Sequence, residues 1–423
     1  MAMIYLDNGA TSFPKPPGMA ETMARCMKTY CGNPGRSGHY MSMKTGEEVY
    51  RARKTVAGLF HIKRPERLIF TMNTTGALNA GIKGVLCRGD HAVTTAMEHN
   101  SVLRPLKALE QGEITHTIVN CKECGTVEVK NILGAIKQNT RLVVCTHASN
   151  VTGTLQPIAE LGAAIKEMNC SRRPEQQILF LVDGAQSAGC VPIDVEKMCI
   201  DMLAIPGHKG LLGPLGTGAL YVREGVDIYP VTEGGTGTAS KERVQPLEFP
   251  EGFEAGTVNA PGIIGLGYSA AWVQRVGVEN IQRHEEALVA PLHEALMNMD
   301  FVKVYGPDHF SETAPEAEGE ETASSFSEKF AVQKECARAL KTAVVTFNAV
   351  DKDGKVRMSC EEVADRLSGE YGIAVRGGFH CAGLAHKTIG TWDTGAVRMS
   401  AGPFNTKKQI KIAIDAVYHI CRP

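Results

Sequence analysis

The 423-residue sequence has almost no net charge, with 45 Lys and Arg against 46 Asp and Glu. Without a field of one sign, nothing draws the chain to nucleic acid or anionic lipid; small neutral or zwitterionic substrates fit better. Long apolar runs are also missing. The uncharged stretch from Thr257 to Gln274 is broken by Pro261 and several glycines and is short for a membrane span, so no transmembrane segment is expected. The opening residues, Met1 to Ala10, have no basic region followed by an apolar core, which argues against a secretory signal and for a cytoplasmic protein. Asn150-Val151-Thr152 then carries no glycosylation meaning. No repeat of fixed period is present, so a solenoid or propeller is not expected.

Thirteen cysteines are scattered through the chain, which favours reduced thiols over a disulfide framework. Cys121 and Cys124 have zinc-knuckle spacing but no second pair to complete four ligands, so they read as a turn with two free thiols, and no metal site is expected. Gly234-Gly235-Thr236-Gly237-Thr238 follows no clear βαβ start and is not a dinucleotide fingerprint.

Hydrophobic residues make up 43% of the chain, enough for a large core. Short apolar runs alternate with helix-like segments: Arg67 to Met72, His91 to Ala96, Arg141 to Thr146, Gln177 to Val182 and Asp201 to Ile205. That alternation predicts an α/β fold built of βαβ units around a mostly parallel sheet. Ligands of such sheets bind outside the carboxyl ends of the strands. There the sequence places Asn73-Thr74-Thr75-Gly76, Glu98-His99-Asn100, Ser149-Asn150, Asp183-Gly184-Ala185-Gln186 and His208-Lys209. A helix is predicted from an Asn259 cap, with Pro261 in its first turn, to Val273. The final third reads as a smaller α+β domain. Within it Ser311 to Glu328 is rich in Glu, Ser, Thr and Ala and reads as a solvated insertion, Ala343 to Val350 as a strand, and Asp353-Gly354 as a tight turn.

Gly207-His208-Lys209-Gly210 is the sharpest local signal. A lysine ending a buried strand must reach solvent or be discharged, and it is well placed to form an imine with an aldehyde. Asp183, at the end of another apolar run, puts a carboxylate in the same crevice, where it would keep a pyridine nitrogen protonated and make an aldehyde cofactor an electron sink. Thr75 and Gly76 open a helix able to receive a phosphate, although an ordinary N-cap would look the same. His99 is placed to lie on the cofactor ring.

Taken in order, these motifs resemble the class V aminotransferases of pyridoxal phosphate (PLP) fold type I, and within them the group II (Suf-type) cysteine desulfurases. The matching stretches run from Tyr5-Leu6-Asp7-Asn8-Gly9-Ala10-Thr11-Ser12, through those above and Phe253-Glu254-Ala255-Gly256-Thr257, to Arg398 and Asn405-Thr406. The resemblance implies a mostly parallel seven-stranded sheet flanked by helices, with a large PLP-binding domain over 16–285 and a smaller one formed by 1–15 and 286–423. Lys209 would carry PLP, Asp183 pair with its ring nitrogen, Gln186 donate to its ring hydroxyl and His99 stack on it. Thr75, Gly76 and His208 would hold its phosphate, joined by Thr257 from the second subunit of a homodimer. Ala10, Asn150 and Arg398 would bind the substrate; a guanidinium fork suits a carboxylate.

Arg376-Gly377-Gly378-Phe379-His380-Cys381-Ala382 is similar to that family's sulfur-accepting loop. The resemblance therefore implies conversion of L-cysteine to L-alanine, with a persulfide on Cys381 destined for an acceptor protein. Catalysis would rest on Lys209, Cys381 and His99, with His380 or His386 favouring the thiolate. Selenocysteine lysis and class V transamination are the alternatives on the same scaffold. The chain departs from the pattern at Pro206, where Ser is usual in the phosphate cup, and at Gly383, where Pro is common.

Overall fold

The computed structural model describes residues 3–35, 37–310 and 339–423, so the acidic stretch Ser311 to Glu328 lies outside the described residues. Seven strands form one sheet in the order β2 (Leu68–Thr71), β8 (Gly218–Val222), β7 (Met202–Pro206), β6 (Leu179–Asp183), β5 (Thr140–Thr146), β3 (His91–Thr95) and β4 (Thr115–Val119). Only β8 runs against the others, pairing antiparallel with both β2 and β7. The mostly parallel seven-stranded sheet expected from the sequence is borne out, and all five apolar runs are strands of it.

The central strands read as unbroken apolar runs because helices cover both faces of the sheet. Side chains alternate between the faces. Val143, Phe180, Val182 and Leu203 join one core, while Leu142, Val144, Leu181 and Ala204 join the other. The first core is closed by α1 (Met19–Thr29), α2 (Tyr40–Gly58), α5 (Val129–Gly134), α6 (Ile158–Asn169) and α7 (Ala260–Val276); the second by α3 (Thr74–Val85) and α4 (Asn100–Leu109). Helix α7 starts as predicted, with Asn259 accepting from the Gly262 N–H at 3.1 Å. Its Gly267 lies so close to α2 that a Cβ there would meet Ala52 Cβ at 2.5 Å, which fixes how tightly the two helices pack.

A four-stranded antiparallel sheet follows, ordered β12 (Arg376–Gly378), β13 (Ala396–Ser400), β10 (Val344–Ala349) and β9 (Val302–Tyr305). Helices α8 (Val278–Met297), α9 (Cys360–Tyr371) and α11 (Lys407–Cys421) cover it through a core that includes Leu292, Phe347, Leu367, Val397 and Val417. The first strand, β1 (Ile4–Tyr5), pairs with β11 (Ile373–Ala374), and Ile4 and Leu6 enter this same core. The N-terminal segment is thus fastened beside β13. The short α10 (Gly383–Thr388) sits between β12 and β13.

Candidate active site

Strand β6 ends at Asp183, whose Oδ1 accepts from the Ala185 N–H at 2.9 Å. Burial pushes its carboxyl up to about 6, against the pull of the Ala185 N–H and the Lys209 charge. Strand β7 ends at Pro206, and the chain turns through Gly207 and His208 to Lys209. A Cβ on Gly207 would lie 2.1 Å from Thr217 Oγ1, so this close turn needs glycine. The Lys209 amine is held down to about 8, first by burial; Asp183 opposes the shift while Arg398 and Arg376 add to it. Its neutral form is therefore accessible near ordinary pH.

The N-termini of α3 and α4 face this lysine. Asn73 caps α3 by accepting from the Gly76 N–H at 2.9 Å, so that donor is already engaged. Thr75 Oγ1 lies 2.8 Å from Ser101 Oγ, which in turn lies 2.9 Å from His99 Nδ1. His99 caps α4, its Nδ1 accepting from the Ser101 N–H at 3.0 Å. The ring is neutral, because burial and then the charges of Lys209, Arg376 and Arg104 lower it to about 4. Thr75, His99, Asn150, Asp183, Gln186, His208 and Lys209 line one pocket of about 100 Å³. Gln186 Nε2 donates to the Gly9 carbonyl at 3.0 Å. Ala10 follows in the same turn, its N–H on the Asp7 carbonyl at 3.0 Å.

The smaller sheet reaches this pocket through Asn150, which lines it and bonds to Arg398. Arg398 on β13 is 1% exposed, with Nη2 on Asp7 Oδ1 at 2.8 Å and Nη1 on the Asn150 carbonyl at 2.9 Å. Asn150 Nδ2 donates to the His380 carbonyl at 2.6 Å, and the Asn100 N–H to the Cys381 carbonyl at 2.9 Å. These two bonds fasten the Cys381 loop to the pocket. Cys381 is exposed rather than buried, and the Arg376 guanidinium lies 3.8 Å from its sulfur.

The histidines beside Cys381 do not serve the thiol as expected. His380 Nδ1 and His386 Nε2 face each other at 3.2 Å, and burial lowers the two rings to about 2 and about 4. The positive charge at the sulfur comes from Arg376. Thr257 is exposed and outside the pocket of its own chain. Sequence reasoning gave no role to Ser101, although a serine two residues past a capping histidine was a visible signal. Nor did it assign Glu98, which is fully buried; its Oε1 accepts from Thr95 Oγ1 at 2.7 Å and the Thr146 N–H at 2.9 Å, and its Oε2 has no partner. Among the described residues no cluster of His, Cys, Asp and Glu could hold a metal ion.

The donor set fits pyridoxal phosphate. His208 Nδ1 is buried without a hydrogen-bond partner beside the Thr75 and Ser101 hydroxyls, which leaves a donor for a phosphate. Asp183, desolvated at the pocket floor, gains by pairing with a pyridinium, and a half-buried lysine with a lowered pKa stands next to it.

Comparison with known proteins agrees. The family model described as Aminotransferase class-V matches residues 4–317. A probable cysteine desulfurase of Methanothermobacter thermautotrophicus is 32% identical over 99% of this chain and 94% of its own length. One from Pyrococcus abyssi is 31% identical over the same shares. The apo structure of a cysteine desulfurase from Thermococcus onnurineus superimposes with a TM-score of 0.83 at 30% identity, covering 99% of this chain and 94% of that one. The chain belongs to the class-V aminotransferase family, whose cofactor is pyridoxal phosphate.

Proposed function

We propose that the protein is a PLP-dependent cysteine desulfurase that converts L-cysteine to L-alanine and leaves the sulfur as a persulfide on Cys381. The observation that carries this reading is the Cys381 loop: an exposed thiol beside a guanidinium, tied by Asn150 and Asn100 to the pocket that holds Lys209 and Asp183. A transaminase would leave that thiol idle.

Arg398 and Asn150 orient the substrate carboxylate, and Lys209, neutral once its proton is shed, takes the α-proton. Lys209 would hold pyridoxal phosphate until the substrate amine displaces it and frees the lysine as a base; the group would supply an electron sink there, Asp183 would keep its ring nitrogen protonated and His99 would lie over it. The Cys381 thiolate then attacks the substrate sulfur. One C–S bond breaks and one S–S bond forms; a proton delivered to the β-carbon and one returned to the α-carbon complete alanine. The sulfur leaves for an acceptor protein. A cytoplasmic setting belongs to this proposal, since the thiol must be kept reduced between turnovers; among the described residues no helix is long and apolar enough to cross a membrane.

The proposal extends to a homodimer with shared sites and to the division into 16–285 and 1–15 plus 286–423. Thr257 supports the first, being exposed and outside its own pocket; the separate core joining Ile4 and Leu6 to Leu292 and Val397 supports the second. The test is the product mixture from purified protein given L-cysteine, L-selenocysteine, or an amino acid with a keto acid. Alanine and sulfide from cysteine under reductant is the expected result. Amino-group transfer without sulfide would overturn it.

A further inference from the structure

His380 and Cys381 are consecutive non-glycine residues with left-handed backbones, at φ 52° and 59°. L-residues populate this region sparsely, so the surroundings must hold it. Part of the hold is visible from the pocket side, in the Asn150 and Asn100 hydrogen bonds to the two carbonyls. The other part lies behind the loop. There His380 Nε2 faces the Arg376 carbonyl at 3.3 Å, His380 Nδ1 faces His386 Nε2 at 3.2 Å, and His386 Nδ1 faces Thr391 Oγ1 at 2.7 Å.

Only one proton arrangement satisfies this chain. A carbonyl can only accept, so His380 Nε2 carries the hydrogen and its Nδ1 takes the Nε2–H of His386. His386 Nδ1 is then a lone pair and takes the Thr391 hydroxyl, which lies 3.4 Å from its alternative acceptor, the His386 carbonyl. His380, His386 and Thr391 are all at most 2% exposed, with the Phe379 ring edge-on to His386 at 5.3 Å. A buried chain with every link made tolerates no rotation of either ring. It ties the start of β12, the strained turn, α10 and the segment before β13 into one unit.

We propose that His386 is a positioning residue for the sulfur-accepting thiol: seated on Thr391, it fixes the His380 ring and thereby the turn that presents Cys381. This inference rests on the desulfurase reading. His386 itself touches neither the pocket nor the sulfur, so it acts only through His380.

Thr391→Val removes the hydroxyl while keeping the shape, and Thr391→Ser restores it; the pair remains informative even if His386→Ala does not fold. In Thr391→Val the protein stays folded and loaded with cofactor and its KM for L-cysteine stays near wild type. Its kcat falls about 10- to 100-fold, as for a reacting group displaced by about 1 Å. Thr391→Ser recovers most of it. A second readout needs no turnover: the rate at which iodoacetamide alkylates Cys381 in the holoenzyme without substrate, followed by peptide mass spectrometry. That rate slows in Thr391→Val, because Cys381 is no longer held against Arg376, and recovers in Thr391→Ser. A folded Thr391→Val with wild-type kcat and wild-type alkylation overturns the proposal, as does a loss that serine fails to rescue. If wild type makes no alanine from cysteine, the desulfurase reading fails, while the alkylation series still decides whether His386 and Thr391 set the turn.

Discussion

Arg398 and Asp7, separated by 391 positions in sequence, form a partly buried ion pair with Nη2 and Oδ1 at 2.8 Å. The pair locks the N-terminal segment against β13 and, with the Asn150 carbonyl, fixes the guanidinium, whose Nε has no partner. Asp7→Asn keeps the shape and removes the charge. Asp7 is partly exposed, so the loss of stability should be about 2 kcal/mol, between the values for surface and buried pairs. Urea denaturation measures it. The KM for L-cysteine should rise as well, since Arg398 loses its anchor; unchanged stability and KM would show that Asp7 does not hold it.

Thr257 begins the segment leading into α7 and is exposed, while Thr75, Ser101 and His208 line the pocket, where they would hold a phosphate. If a partner subunit supplies the missing hydroxyl, a Lys209→Ala chain mixed with a Thr257→Ala chain rebuilds one intact site per heterodimer. About half of the wild-type activity per heterodimer should then return, one site in two working. Mixtures shown to have exchanged subunits yet staying inactive would refute the shared site.

Strands β2, β3, β5, β6 and β7 were legible because burial on both faces makes them continuous apolar runs, and the clusters at their ends mark the site. Strand β4 was not. Its Thr115-His116-Thr117-Ile118-Val119 lies at the sheet edge with mostly open side chains, so no apolar run forms. Nor did β8 announce its reversed direction, which depends on pairing with β2 and β7 rather than on its own residues. Lys209 and Asp183 could be read from their strand ends. The placing of Arg376 against the sulfur, and the turning of His380 away from it, depend on a left-handed turn made without glycine, which no local pattern signals.

Glu98 makes stability depend on pH in a way that can be isolated. Burial, with Asp183 adding, raises its carboxyl from 4.5 to about 8. Its contribution is therefore fully present below pH 4.5 and is lost as pH rises towards 8, where the unfolded chain gains by ionising it. Glu98→Gln removes this dependence, whereas the buried histidines titrate alike in both proteins. Relative to wild type, the variant should be more stable at pH 8 than at pH 5, by on the order of a few kcal/mol. Parallel melting-temperature profiles for the two proteins across that range would mean that Glu98 is ionised in the fold.

The decisive variant is Cys381→Ala. The thiol does not line the pocket and contributes to neither the Lys209 turn nor the Asp183 floor, so the variant should bind PLP with an unchanged visible spectrum. Sulfur is a poor leaving group without a nucleophile to take it, and L-cysteine turnover should fall by about 100-fold or more. Selenocysteine cleavage should fall far less, since a selenolate departs with little help. Wild type given L-cysteine without reductant should carry one extra sulfur on the peptide containing Cys381, detected by mass spectrometry. Cys121 and Cys124 are the controls: Cys124 is buried, and burial lifts the half-buried Cys121 to about 12, so Cys121 offers no ready thiolate. An extra sulfur on either of them, or full cysteine turnover by Cys381→Ala, would remove Cys381 from the mechanism. Slow cysteine turnover by wild type beside rapid selenocysteine cleavage would instead make selenium the substrate element.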